Sequence, residues 1–442
     1  MKTFGLRGWC IKHVPAHCEY FAAQGDMPAA ALQLMDQYAY DHGESYDSYL
    51  ATEDDRAYFW SPQRRGVVGF VRRGRTLNIL GGLLAPPQHQ GELLAVLMQF
   101  AELNRLTINF LMVPPPQAKV FRRHGFHISK CGEELFVRLQ RETWQGKHYQ
   151  WLRRQENAGV RKELRVEEID PAADPHRYQR EIVPQLNEIN EQHLAGTLHG
   201  RELVFYEGRF TPQELRRRRL FVTWQGDQAV AFVVCNPAMS GDMWAIEIYR
   251  RRADAPQGVI PFSMLQIMRQ MKDEGVLYAS LSSVPFLRCG PPVKNDDLRF
   301  QGGCQIFWHG MNWLFDVRGI YHFKSRFRPA YREMSVATYP RSSFRSLFAM
   351  VLVWELHRVS PLRLARHVAQ YWRARHSRAQ LAQPEPRPER KVRELKRVTF
   401  PTDSPAVIGP TMPNEQVAAA PMSRRHPPIA PMTADAYEMS EA

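Results

Sequence analysis

The chain has 442 residues, of which 44% are hydrophobic, and carries a formal net charge of +14 with a pI of 9.6. That length favours two globular domains plus extensions, and the charge favours a polyanionic partner: RNA, DNA or an anionic lipid surface. No apolar run reaches the ~18 residues of a membrane-spanning helix; the longest candidate, "LFAMVLVWELH" from Leu347, is too short, so a spanning helix is excluded.

The N-terminus, "MKTFGLRGWCIKHVPAHC", has no apolar signal-peptide core, and six cysteines are scattered along the sequence. A cytoplasmic chain with reduced thiols is expected. Cys10, His13, His17 and Cys18 lie close in sequence, but no second ligand cluster with zinc-finger spacing follows, so local packing is preferred to a metal site.

Three strands are predicted in series, "AYFW" from Ala57, "GVVGFV" from Gly66 and "TLNILGG" from Thr76. A helix over "GELLAVLMQFAELNRL", a strand "TINFLMV", a helix over "PPQAKVFRRHGF" and a strand pair near "ELFVRL" follow. After a helical stretch, "PHRYQREIVPQLNEINEQHL", and a basic run, "TPQELRRRRL", the order repeats. Strands "LFVTWQ", "AVAFVVCN" and "MWAIEIYRR" lead to a helix with Pro261 near its start and a strand "VLYASLSS".

The repeat implies two α+β domains of one architecture, residues 1–165 and 166–341. A basic amphipathic helical segment is expected over 342–382, its arginines opposed by Glu355 alone. It would either lie on an anionic membrane surface or close the domain as a hairpin. Residues 383–442, rich in Pro, Ala and Met, are expected to be disordered.

Two stretches suggest chemistry. In "MWAIEIYRRRADAPQGVIPF" a strand ends in Arg250, Arg251 and Arg252 and a loop with Gly258 leads into a helix, which suits an anion site. Strict alternation puts Glu247 and Arg250 on opposite faces, so they can meet only where the strand bends or ends. In "GIYHFKSRFRPAYREMSV", an extended reading puts Lys324, Arg326 and Arg328 on one face, aimed together at a phosphate-bearing substrate. A solvated basic edge is the alternative.

"GIYHFKSRFRPAY" resembles the Gly-Leu-Tyr-x-Phe-Lys-x-Lys-Phe-x-Pro-x-Trp signature of the phosphatidylglycerol lysyltransferase (MprF-like) catalytic region. "LNILGGLLAPP", "FHISKCGEELFVRL", "GKHYQWLRRQENAGV", "YEGRF" and "IEIYRRRADAPQGV" are similar to further pieces of that family, in the same order, over about residues 40–340. The resemblance implies tandem GNAT-like acyltransferase domains and transfer of an amino acid from aminoacyl-tRNA to a lipid hydroxyl, with an anionic phospholipid as acceptor and no cofactor.

Carried over by position, it implies catalytic roles for Glu247, Arg250 and Lys324 and substrate binding by Arg209 and Arg326; Arg251 and Arg328, from the strand end and the basic stretch above, are expected to bind substrate beside them. Glu247 stands where the family has Asp, Tyr331 where it has Trp, and Met334 and Ser335 where it has Arg-Tyr. The N-terminus and the basic segment together lead to the expectation of a cytoplasmic protein, peripheral on the inner face of the cell membrane through residues 342–382. Two other classes stay open: an acyl-CoA-dependent N-acyltransferase, although "RRADAPQGVI" lacks the Arg/Gln-x-x-Gly-x-Gly/Ala spacing of the CoA loop, and a noncatalytic RNA or membrane adaptor.

Overall fold

The computed structural model describes residues 11–290, 297–355 and 358–381; Cys10 and the expected tail from 383 lie outside them. The first half contains β1 (Glu19–Phe21), α1 (Ala29–Asp41), β2 (Ala57–Trp60), β3 (Val67–Arg73), β4 (Thr76–Ile79), α2 (Pro87–Leu103), β5 (Thr107–Val113), α3 (Pro115–Arg123), β6 (His127–Arg138) and α4 (Gln150–Arg161). The second continues with β7 (Leu164–Ile169), α5 (Pro175–Arg177), α6 (Val183–Gly196), α7 (Val204–Glu207), β8 (Arg219–Gln225), β9 (Gln228–Ala238), β10 (Met243–Arg251), α8 (Val259–Asp273), β11 (Tyr278–Pro285), α9 (Leu298–Gly310), α10 (Val317–Ser325) and β12 (Ala330–Tyr339). Beyond the repeat lie α11 (Phe344–Leu352) and α12 (Pro361–Leu381). No described helix is long and apolar enough to cross a membrane.

The twelve strands form one sheet in the order β1-β2-β3-β4-β5-β12-β6-β11-β10-β9-β8-β7. Each half runs as an antiparallel meander of four strands, a helix, and a fifth strand parallel to the fourth, β5 on β4 and β11 on β10. This is the expected tandem GNAT-like α+β order.

The last strands are exchanged. β12 lies between β5 and β6, and β6 pairs only with β12 and β11. The cores record the exchange: Leu135 and Val137 of β6 pack with Ile246, Met268 and Leu281, while Ala337 of β12 packs with Phe110 and Phe121. The sheet thus runs unbroken across the boundary expected at residue 165. β6 is also a single strand of 12 residues where a strand pair was expected.

Local chemistry explains several elements. Pro115 and Pro116 open α3, where a missing N–H costs nothing. A π-turn over Tyr178–Ile182 joins α5 to α6 immediately before Pro184, whose ring removes a donor and crowds the preceding turn. The basic run near residue 216 is absorbed internally. Arg217 Nε donates to Asp36 at 2.6 Å, Arg218 pairs with Glu53, and Arg219 bridges Glu168 at 2.6 Å and Glu274 at 2.7 Å. Two of these pairs tie the second half to α1 and the turn after it.

Candidate active site

Pairing between β10 and β11 covers only Met243↔Tyr278, Trp244↔Ala279 and Ala245↔Ser280, although both strands run on. Beyond that point they part, and each is irregular. β10 bulges against β9 between Ile246 and Ile248, leaving Glu247 as the extra residue, and β11 slips against β6 between Ser280 and Ser283. Ser282 sits at φ 63°, a conformation costly for a residue with a Cβ and concentrated at functional sites. Its hydroxyl donates to Glu247 Oε2 at 2.8 Å. The bulge suspends the alternation that strict strand geometry would impose on Glu247.

Lys324 enters this opening from α10, not from a strand. The extended reading of residues 319–327 is therefore corrected: Asp316 caps the helix, accepting from the Gly319 N–H at 3.1 Å, and Phe323 and Phe327, four residues apart, meet edge-on at 5.6 Å. The helix and its end separate the three cations: α10 stops at Ser325, Arg326 is its C-cap, and Arg328 sits at φ 58° beyond it. Lys324 is buried and its Nζ donates to the Ser283 carbonyl at 3.2 Å. The Arg326 guanidinium lies over the Trp151 ring at 5.2 Å, and Arg328 Nε donates to the His148 carbonyl at 3.3 Å. Only Lys324 reaches the opening.

The surroundings set unusual charge states. Burial pushes the Glu247 carboxyl well above the carboxylate range, opposed by the Ser282 hydrogen bond and by Lys324; burial pulls the Lys324 ammonium down, opposed by Glu247, Glu207 and Glu134. Asp47, buried nearby, is pushed up to about 7 by desolvation. Tyr46 donates to Ser283 Oγ at 2.7 Å. Beneath them the fully buried Glu134 accepts from Arg332 Nε at 2.6 Å and Ser280 Oγ at 2.7 Å, which neutralises it in place.

The arginines after Glu247 disperse. Arg250, buried, donates to Glu202 Oε1 at 2.9 Å and also feels Glu207, the carboxylate that Lys324 faces. Arg251 is exposed, Arg252 pairs with Glu188 at 2.9 Å, and Arg209 pairs with Asp54 at 2.7 Å. Gly258, at φ 88° before α8, faces Gln155 of α4: a Cβ there would stand 2.3 Å from Gln155 Oε1. Glu247, Lys324 and Arg250 thus share one neighbourhood through Glu207, while Arg209, Arg251, Arg326 and Arg328 stand outside it. Sequence reasoning missed Glu202, Glu207, Ser282, Ser283, Tyr46 and Asp47. Glu207 lies within the quoted "YEGRF", and the serines within "SLSSVPF".

The arrangement offers a carboxyl raised by burial, a buried amine lowered by it and a serine hydroxyl in one cleft, a set suited to proton transfer and to stabilising a developing oxyanion.

The chain is 21% identical over 287 residues to the phosphatidylglycerol lysyltransferase of Bacillus subtilis (strain 168), covering 64% of this chain and 32% of that protein. It is 20% identical over 298 residues to the phosphatidylglycerol lysyltransferase of Staphylococcus aureus (strain MRSA252), covering 67% and 34%. The chain thus spans about a third of the length of these curated relatives. The solved structure of L-PGS from Bacillus licheniformis superposes with a TM-score of 0.63 at 19% identity, over 74% of this chain and 96% of that one, and shares its fold. The family model for the C-terminal region of phosphatidylglycerol lysyltransferase matches residues 36–338, which include Glu247, Arg250 and Lys324, and the chain belongs to that family.

Proposed function

We propose that this protein is an aminoacyltransferase that moves an amino acid from aminoacyl-tRNA to a hydroxyl of a phosphatidylglycerol-like lipid. The observation that carries the reading is that Glu247, on its bulge, and Lys324, from α10, are held by successive residues of the parted strand, Glu247 by the Ser282 hydroxyl and Lys324 by the Ser283 carbonyl, inside the family-matched region. The donor ester is already activated, so the task is positioning and proton management. Glu247 takes the proton as the acceptor oxygen attacks the ester carbonyl. Lys324 faces the charge that develops on the carbonyl oxygen and returns a proton to the departing ribose hydroxyl. One ester bond forms and one breaks, with no net change in oxidation or charge. Arg250, held by Glu202, positions Glu207 and the acceptor.

The chain's excess of cations suits both an RNA donor and an anionic acceptor. The segment 342–382 belongs to the same reading as a peripheral contact with the inner membrane face: Phe344, Phe348, Leu362 and Trp372 are exposed on its two helices. Deleting the chain after Arg341 tests that contact by vesicle flotation, and undiminished flotation would remove it.

The central test incubates the protein with total tRNA charged with labelled amino acids and with total lipids, then counts label in the organic phase with and without ribonuclease. RNase-sensitive lipid label supports the reading. A folded protein giving no lipid label would send the search to water-soluble acceptors and then to acyl-CoA.

A further inference from the structure

A cavity of 320 Å3 opens beside the catalytic cleft, walled by β3, by the segment from Arg201 into α7, and by the residues that follow α11. α7 joins the two spaces: its first residues, Val204 and Phe205, line the cavity, and its last, Glu207, faces Arg250 and Lys324. Glu202, the partner of Arg250, lines it too.

Glu355 is the focus of this space. Its carboxylate meets Arg201 at 2.6 Å, Arg358 at 3.2 Å and Arg73 at 3.6 Å. Of the other charged residues on the wall, Asp55 pairs with Arg56, Glu202 with Arg250 and Arg209 with Asp54, which leaves the Glu355 carboxylate opposite three guanidinium groups and about two positive charges to repel one another. The Glu355 backbone sits at φ 53°, an unfavourable region for a residue with a Cβ. Glu355 and Arg358 lie beyond the family-matched region, whereas Arg73 and Arg201 lie within it. Val71, Leu203, Val204, Phe205 and Val353 supply the apolar part of the wall.

We infer that this cavity binds the phosphodiester headgroup of a lipid, with Arg73, Arg201 and Arg358 as the phosphate ligands and Glu355 as a resident counter-ion that the phosphate displaces. An arginine cluster set against an apolar wall fits a phosphate attached to a glycerol backbone better than a fully polar polyanion. Only the choice of a lipid source for the phosphate rests on the proposed transferase reading. The extension after the family region thereby becomes a tuner of affinity: the carboxylate competes with the ligand.

The test is calorimetric titration of the full chain with monomeric dihexanoyl-phosphatidylglycerol, followed by inorganic phosphate and uncharged tRNA as separate titrants. Glu355→Gln, which keeps shape and removes the charge, is expected to tighten the lipid about tenfold, and Arg201→Gln to weaken it about tenfold or more. Arg358→Gln, whose side chain is more than half exposed, is expected to weaken it about threefold without disturbing the fold, and serves if Glu355→Gln melts early. Excess inorganic phosphate should compete weakly.

Unchanged lipid affinity in Arg201→Gln and Arg358→Gln would overturn the assignment. So would inorganic phosphate binding as tightly as the lipid, or variants that shift tRNA affinity alone. Binding needs no turnover: a protein that follows this pattern yet transfers no amino acid keeps the site and loses the proposed reaction.

Discussion

The two halves of the sheet share one topology and differ at the same place in it. In the first half, β4 and β5 face each other through Asn78 and Asn109, both fully buried. Asn109 Nδ2 donates to Asn78 Oδ1 at 3.3 Å and to the Ser346 carbonyl of α11 at 3.2 Å, and its Oδ1 accepts from Thr338 at 3.1 Å. Neutral amides are paired there, and α11 covers them. In the second half, β10 and β11 part at a bulge, and a carboxylate and an amine are held in the gap by the neighbouring Ser282 and Ser283. The frame is thus compatible with either a closed polar seam or a reactive cleft; the bulge, the left-handed Ser282 and the lysine brought by α10 decide which.

The sharpest way to break this contrast is to disarm the cleft. Glu247→Gln or Lys324→Ala should lower aminoacyl transfer by about 100-fold or more while circular dichroism and melting stay near wild type. Near-normal transfer by either would end its catalytic role. The pH dependence sharpens the same point. Activity needs Glu247 deprotonated and Lys324 protonated, so kcat/KM should rise on a limb above the ordinary carboxylate range and fall on one below the ordinary lysine range. Glu247→Gln should abolish the rising limb.

The seam should answer in stability instead. Asn109→Ala strands the groups that Asn109 now satisfies and is expected to cost about 1–3 kcal/mol in denaturant unfolding, with transfer per folded molecule unchanged. Gly159→Ala probes the packing of α4 on α8 in the reactive half. An added Cβ would stand 2.3 Å from the Phe262 ring, and a loss of about 1–3 kcal/mol is expected. The smallest effect is assigned to Arg326→Ala: removing the guanidinium from Trp151 should cost about 0.5–1 kcal/mol and leave the rate alone. A large rate loss there would return Arg326 to the site.

Much of the frame was legible because it rests on local pattern. Three strands of each meander, the helix after them and the further strand follow from alternation, helical spacing and proline punctuation; the short outer strands β1 and β7, α1, and the parallel pairing of the fifth strand carried no such pattern. The exchange of β6 and β12 was not, since nothing in "ELFVRL" or "YREMSVATY" specifies which fifth strand it will join. Within the site, Glu247 and Lys324 stood out in the strand end and the basic stretch, and the family resemblance gave them catalytic roles. The grouping of Lys324 with Arg326 and Arg328 failed because a short alternating stretch fits two periodicities, and the deciding cap, Asp316, lies upstream of it. Glu202 and Glu207 escaped because a carboxylate in a loop or at the end of a one-turn helix carries no signal until the chain folds it against a cation.

The strand exchange also bears on how the protein is made. β6 hydrogen-bonds only to strands that leave the ribosome later, the first of them starting at Tyr278. At translation rates of ~5–20 residues per second, its apolar residues wait on the order of 10 s without a strand partner. During that interval the nascent chain presents an unpaired strand to its neighbours on a polysome, and it is there that a trigger-type chaperone would have most to protect.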